Sequence, residues 1–394
     1  MNRRPSFSAI MIILLLAVGP LAYGGEGDGS PAASPADVSP APRPTGLDIA
    51  KQMSPGWNLG NALDAFNARI PAPASRSQET AWGNPPVTQA LLDAVKAAGF
   101  NTVRIPVAWS EYADADNNIS PAWLARVTQV VNYARKAGLY VIINVHWDGG
   151  WLQSTDARQA AGDAKLAKFW TQIADNFKNY DSHLLFAGTN EIGADGVSKP
   201  DAENCAVQNG FNQTFVNAVR ATGGGNATRY LIVQGYNTNI DQTLLCDAKL
   251  PTDTAARRLM MEVHYYDPYN LTINERSNIW QWGKIATDRA AKDTWGDEAW
   301  ADAQFEKMKA AFVDKGIPVI LGEYAAMRRT EYDPTEKYST YWDAYITHSA
   351  YEHGLVPVYW DNGYTGNHAS GLFDRATGAQ AFPDTIRAIV DAVR

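Results

Sequence analysis

Two cysteines in 394 residues are too few for a disulfide-built scaffold. With no CxxC pair and no HExxH anywhere, neither a structural zinc site nor a zinc-protease helix is encoded. Charge is also sparse: 19% of residues are charged, 34 basic against 42 acidic, for a net charge of -8. That shortage of positive charge removes the electrostatic basis for nucleic-acid binding and argues against an anionic polysaccharide as partner. No GxGxxG follows the first expected strand and no P-loop occurs, so the usual dinucleotide and nucleotide cradles are missing. Gly223-Gly224-Gly225 lies at the end of an expected helix, where it serves as cap and turn rather than phosphate cradle. What the chain has in surplus is aromatic: 13 Trp, 18 Tyr and 12 Phe within a 45% hydrophobic composition, which excludes a disordered, collagen-like or coiled-coil chain.

The first residues read as an export signal, with Arg3 and Arg4 before an apolar stretch Ile10 to Val18 and a small-x-small site at Ala22-Tyr23-Gly24. Cleavage is expected near Gly24, giving residues 1–24 as signal peptide. The apolar stretch is about half the ~20 residues a spanning helix needs, so the mature protein is expected to be soluble, free of the membrane, and secreted to the medium or a periplasm. Residues 25–46 are Pro, Ala, Ser and Gly with hardly a large apolar side chain, a disordered tail. The folded domain is expected over 47–394. In an exported chain Cys205 and Cys246 can form a single disulfide, two buried thiols being the alternative.

From Leu47 onward short apolar runs alternate with longer amphipathic ones, the pattern of repeated βα units around a parallel sheet. Eight strands are expected, at 56–59, 102–107, 140–146, 184–190, 230–236, 259–265, 318–324 and 356–360. Helices with apolar residues at three and four spacing are expected at 88–98, 121–137, 164–178, 211–221, 298–314, 337–352 and 383–393. Several end in Gly followed at once by the next strand, as in Ala97-Ala98-Gly99-Phe100. The fold class is therefore α/β, a (β/α)8 TIM barrel, with a doubly wound open sheet as its rival. In such a barrel the active site sits at the C-terminal ends of the strands. Those ends carry Arg104, His146-Trp147-Asp148, Asn190-Glu191, His264-Tyr265-Tyr266, Glu323 and Trp360-Asp361-Asn362. Glu191 and Glu323, three strands apart around the ring, are expected to face each other across the mouth, an arrangement suited to glycosidic bond cleavage.

These segments resemble glycoside hydrolase family 5. The likeness runs from Gly56 to Gly363 and rests on Gly56-Trp57-Asn58-Leu59-Gly60-Asn61, Thr102-Val103-Arg104-Ile105-Pro106, Asn144-Val145-His146, Thr189-Asn190-Glu191-Ile192, Val263-His264-Tyr265-Tyr266, Leu321-Gly322-Glu323-Tyr324 and Tyr359-Trp360-Asp361-Asn362-Gly363. It implies a retaining endo-β-1,4-glucanase with Glu191 as acid/base and Glu323 as nucleophile, needing no cofactor and no metal. Arg104 and Tyr266 would hold Glu323 ionised, while desolvation and a like charge nearby would raise Glu191. His146 and Asn190 would hold sugar hydroxyls, His264 would orient Glu191, Trp360 would lie under the sugar, and Asn58 would support the site. The resemblance also suggests a cis Trp360-Asp361 peptide.

Two positions depart from the family pattern: Trp147 stands where many relatives carry a second His, and Ile192 where many carry Pro. Glu262, two residues before His264 on the same strand face, is read as barrel-interior structure paired with a basic or hydroxyl neighbour. Stacking platforms are expected among Trp57, Trp109, Trp147, Trp151, Tyr236, Tyr269, Trp280, Trp282 and Trp295. The expected substrate is a neutral β-1,4-glucan cut by a monomer. A xyloglucan-, mixed-linkage-glucan- or mannan-specific hydrolase and a catalytically silent glycan-binding barrel remain the alternatives.

Overall fold

Eight strands, buried along nearly their whole length, set the frame of the computed structural model, which describes residues 46–394 apart from 71, 75, 76 and 248. They are β1 (Gly56–Leu59), β2 (Thr102–Ile105), β3 (Tyr140–Asn144), β4 (Leu184–Ala187), β5 (Leu231–Asn239), β6 (Leu259–His264), β7 (Val319–Glu323) and β8 (Leu355–Asp361). Each pairs in parallel with the next, and β8 returns to β1 in the register Asn58↔Trp360, closing the barrel. Closure excludes the open-sheet rival and leaves no strand edge exposed. The expected signal peptide and most of the expected tail lie outside the described residues. Among the described residues no helix is long and apolar enough to cross a membrane.

Side chains alternate along a strand, and this alternation builds the barrel interior in layers. Tyr140, Ile142, Leu185, Ile232, Met260, Ile320 and Val356 form an apolar layer, with Ile49, Ala50 and Met53 of the helix Gly46–Met53 packed into the same cluster. Two residues further along the strands the inward positions turn polar: Asn58, Arg104, Gln234 and Glu262 are all buried. On β6, Met260, Glu262 and His264 thus share one face, rising from the apolar layer to the mouth. A second, larger core joins the outer faces of the strands to the surrounding helices.

Helix positions depart from expectation where the apolar period is weak. The helix expected from Ala164 begins at Asp156, because its first two turns (DARQAAGD) carry no large apolar stripe. The helix expected from Phe211 begins at Ala202, started by a capping box between Asp201 and Asn204. Gly46–Met53 and Ile240–Leu245 are short helices the periodicity did not reveal. β2, β3 and β4 end two or three residues early, since composition does not mark where pairing with the neighbour stops. Cys205 and Cys246 are joined by a disulfide, Cα atoms 5.0 Å apart, tying the start of Ala202–Ala221 to the end of Ile240–Leu245.

Candidate active site

Arg104 is the hub of the mouth. Its guanidinium is fully buried, and Nη1 donates to Asn58 Oδ1 at 2.9 Å and to Glu323 Oε1 at 2.8 Å, while Nη2 donates to Asn190 Oδ1 at 2.6 Å. Nε lies 2.9 Å from Glu262 Oε1 as an ion contact that is poorly aligned for a hydrogen bond. Asn58 is locked in turn, its Nδ2 donating to the carbonyls of Gly322, Val358 and Tyr359. One planar cation therefore fixes side chains from β1, β4, β6 and β7 at once, which a point-charge ammonium could not do.

Glu323, at the end of β7, has both oxygens held: Oε1 by Arg104 and Oε2 by the Tyr266 hydroxyl at 3.1 Å. Glu191 sits just beyond β4 with a left-handed backbone (φ 50°), and its side chain is 42% exposed. Its Oε1 lies 2.7 Å from His264 Nδ1. An oxygen of each glutamate and a ring nitrogen of His264 all lie within 4.8 Å of one another. Three such atoms could surround a cation, yet Arg104 already neutralises Glu323, and both nitrogens of His264 face carboxylates. A donor set of that kind does not favour a metal.

Hydrogen-bond logic fixes the two histidines differently. Val107 N donates to Asn144 Oδ1, which turns the Asn144 amide nitrogen toward His146 Nδ1 at 3.0 Å. Nδ1 therefore accepts and Nε2 carries the proton. Burial, with Arg104 and His264 nearby, holds His146 well below the usual range, so it stays neutral. For His264 burial also lowers the pKa, but Glu323, Glu191 and Glu262 outweigh it and push it up to about 9.

The electrostatics of the open site reverse the expected split between the glutamates. Burial pushes Glu191 up, but the His264 contact and the Arg104 charge outweigh it, leaving it lowered. Glu323 is raised, chiefly by burial, with Glu191 and Glu262 adding to it against His264 and Arg104. No motif or spacing pointed to the imidazolium that causes this reversal.

Around this centre Trp360 lies parallel to the His146 ring, centroids 6.0 Å apart, and its peptide to Asp361 is trans, not cis, among the described bonds. Trp147 is 51% exposed on the loop after β3, beside Phe66, and Trp151 is half-buried beneath Lys165 Nζ, 4.5 Å from its ring. Asp148 stitches that loop down: it accepts from the backbone N–H groups of Trp109 and Ser110 and from Trp151 Nε1. Sequence reasoning placed Asp148 at a strand end without this role.

Among the expected platforms, Trp57, Trp109, Tyr236 and Trp282 are instead buried packing residues. Their polar atoms explain why, since Trp57 Nε1 donates to Asp361 and Trp109 Nε1 to the Asn144 carbonyl. Tyr269 and Trp295 are exposed and Trp280 is half-buried. Beside Trp360 lies a hollow of about 240 Å³, partly open to solvent, whose walls include Tyr266, Ile273, Glu275, Met327 and His368.

Comparison with known proteins agrees with this geometry. The family described as cellulase, glycosyl hydrolase family 5, matches residues 63–366. The chain is 38% identical over 368 residues to endoglucanase A of Paenibacillus barcinonensis, covering 89% of this chain and 90% of that one. It superposes on a family 5 xyloglucanase of Bacteroides ovatus solved with a XXXG heptasaccharide, with a TM-score of 0.83 and 39% identity, over 90% of this chain and 78% of that one. A broad-specificity endoglucanase from Bacteroides salanitronis gives a TM-score of 0.82 at 42% identity, over 89% and 95% of the two chains.

Proposed function

Because the chain belongs to glycosyl hydrolase family 5, we propose that it is a secreted, retaining endo-β-1,4-glucanase acting on internal bonds of a neutral glucan. The observation that carries this reading is the close approach of Glu191 and Glu323, with oxygens within 4.8 Å. That spacing suits direct attack by one carboxylate rather than the wider gap of about 6.5–9.5 Å that admits a water. Glu323, oriented through both oxygens, attacks the anomeric carbon and forms a glycosyl-enzyme ester while Glu191 gives a proton to the leaving oxygen. Water then attacks the same carbon, Glu191 takes its proton, and Glu323 leaves. Substrate covers the half-exposed Glu191 carboxylate and strips its water, which raises its proton affinity as the leaving oxygen arrives.

The supporting residues follow from their bonds. Asn190 turns its oxygen to Arg104, which leaves its N–H groups for the sugar 2-hydroxyl. His146 offers Nε2–H to a hydroxyl, and Trp360 an apolar face below the ring. Trp147 and Trp151 extend the binding surface along the chain. No cofactor or metal enters these steps.

The hollow beside Trp360 favours a second reading, a preference for branched glucan such as xyloglucan, because it leaves space for a side chain next to the main chain. Incubation with unbranched β-1,4-glucan, mixed-linkage glucan, xyloglucan and mannan, with Glu323→Gln as control, decides between them through the reducing ends released. NMR of the first product should show the β-anomer. Binding without any release of reducing ends would establish the silent barrel instead. Sequencing the exported protein should find its N-terminus near Gly25, and light scattering should find a monomer.

A further inference from the structure

Beneath the two glutamates the active site of the proposed reaction holds a third carboxylate. Glu262 is completely buried, and an amide, a guanidinium and an imidazole converge on it. Gln234 Nε2 donates to Oε2 at 2.9 Å, Arg104 Nε lies 2.9 Å from Oε1, and His264 Nε2 lies 3.3 Å from the same oxygen. The Gln234 oxygen in turn accepts from Thr189 Oγ1 at 3.1 Å. A buried guanidinium 2.9 Å from one oxygen and an amide N–H on the other favour the ionised carboxylate.

The neighbouring strand is shaped to admit it. A Cβ at Gly322, in the Leu321-Gly322-Glu323 segment of β7, would meet Glu262 Oε1 at 2.0 Å. Gly322 thus makes room for Glu262 as well as preceding Glu323. The titratable groups facing His264 are Glu191 just beyond β4, Glu262 on β6, Glu323 on β7 and neutral His146 just beyond β3, with the Arg104 guanidinium of β2 behind Glu262 and Glu323. Three carboxylates surround the imidazole, and each ring nitrogen meets a carboxylate oxygen.

We infer that Glu262 is a positioning residue: it keeps both ring nitrogens of His264 protonated, and so retains on the His264–Glu191 pair the proton that Glu191 delivers to the leaving oxygen. This rests on the acid/base reading of Glu191. Glycosylation takes one proton from the pair to the departing sugar, and the water that later adds at the anomeric carbon returns one. Before the first step the ionised Glu262 compensates the imidazolium; between the steps the pair is one proton short, with His264 neutral beside ionised Glu191, until the attacking water returns the proton. The lowered pKa of Glu262, from Arg104, His264 and Gln234 acting against burial, agrees with a permanently charged role.

The test is the pH dependence of kcat/KM on cellopentaose for the full chain and for Glu262→Gln. Nitrogen NMR of ¹⁵N-histidine protein runs alongside, with the His264 signal assigned by its loss in His264→Gln. Glutamine keeps the size but removes the charge, so the alkaline limb should fall by about one to three pH units. His264 should lose a proton over the same interval. An unmoved alkaline limb, with His264 still doubly protonated in the variant at pH 8, would overturn the inference. If Glu262→Gln does not fold, the unaltered protein decides: a doubly protonated His264 at pH 7.5 supports the role, and a neutral ring refutes it. Because the NMR signal needs no turnover, failure of the glucanase reading would show separately, as an unaltered protein that cuts no glucan.

Discussion

Replacing Arg104 by Met keeps the bulk in the barrel and removes the cation that ties four strands together. Two carboxylates lose their guanidinium partner, Glu323 at 2.8 Å and Glu262 at 2.9 Å, and two amide oxygens lose a donor. Breaking a buried pair from one side costs about 3–5 kcal/mol. At about 2 °C per kcal/mol for a domain of this size, the melting temperature should fall by about 6–10 °C. The chemistry should shift as well. Arg104 is among the charges that hold Glu323 down against burial, so its loss raises the proton affinity of Glu323. The acidic limb of kcat/KM should therefore move to higher pH by about one to three units. Thermal melts and a pH profile on a soluble β-1,4-glucan check both effects. A variant with an unchanged melting temperature and an unmoved acidic limb would show that the cluster is not held by Arg104, and the account of Glu323 would fail with it.

Other outcomes follow from the same structure. His264 is raised to about 9 and buried Asp343 to about 8. Groups raised on folding stabilise fully below their unfolded values, and the stabilisation is lost as pH rises through the folded ones. Melting temperature should thus decline as pH rises, through Asp343 between 3.8 and about 8 and through His264 between 6.5 and about 9, and a flat profile from pH 6.5 to 8 would contradict these environments. Cutting the Cys205–Cys246 bridge, whose cysteines are 41 residues apart, should cost about 4 kcal/mol by chain entropy. Urea unfolding of Cys205→Ser measures this, and an unchanged midpoint would mean the bridge contributes nothing. Trp147→Ala removes an exposed ring worth on the order of 1–2 kcal/mol of binding, so KM should rise about tenfold with kcat kept. A fall in kcat alone would place Trp147 nearer the chemistry than a binding surface.

The sequence by itself determined the barrel and the identity of its mouth. Eight apolar runs at the spacing of βα units, with Gly ending the intervening helices, leave little but a closed parallel ring. Strand ends then place Arg104, His146, Glu191, His264 and Glu323 together, because residues at strand ends point where the loops begin. Local pattern could not show helices whose first turns lack apolar residues, as at Asp156 and Ala202. Nor could it separate Trp147, which faces solvent, from Trp109, whose indole is taken up by a carbonyl of β3.

Only the tertiary structure decided the charges. Whether a carboxyl binds its proton depends on what stands within a few ångströms in three dimensions, and the neighbours of His264 come from β6, β7 and the segments just after β3 and β4. Glu262 could be read from its spacing as an inward residue, but its anionic state follows only from the Arg104 guanidinium and the Gln234 amide that reach it. The reversal between Glu191 and Glu323 has the same origin. One glutamate meets an imidazolium in an open cleft, and the other lies deeper, where burial and the nearby Glu262 carboxylate act on it.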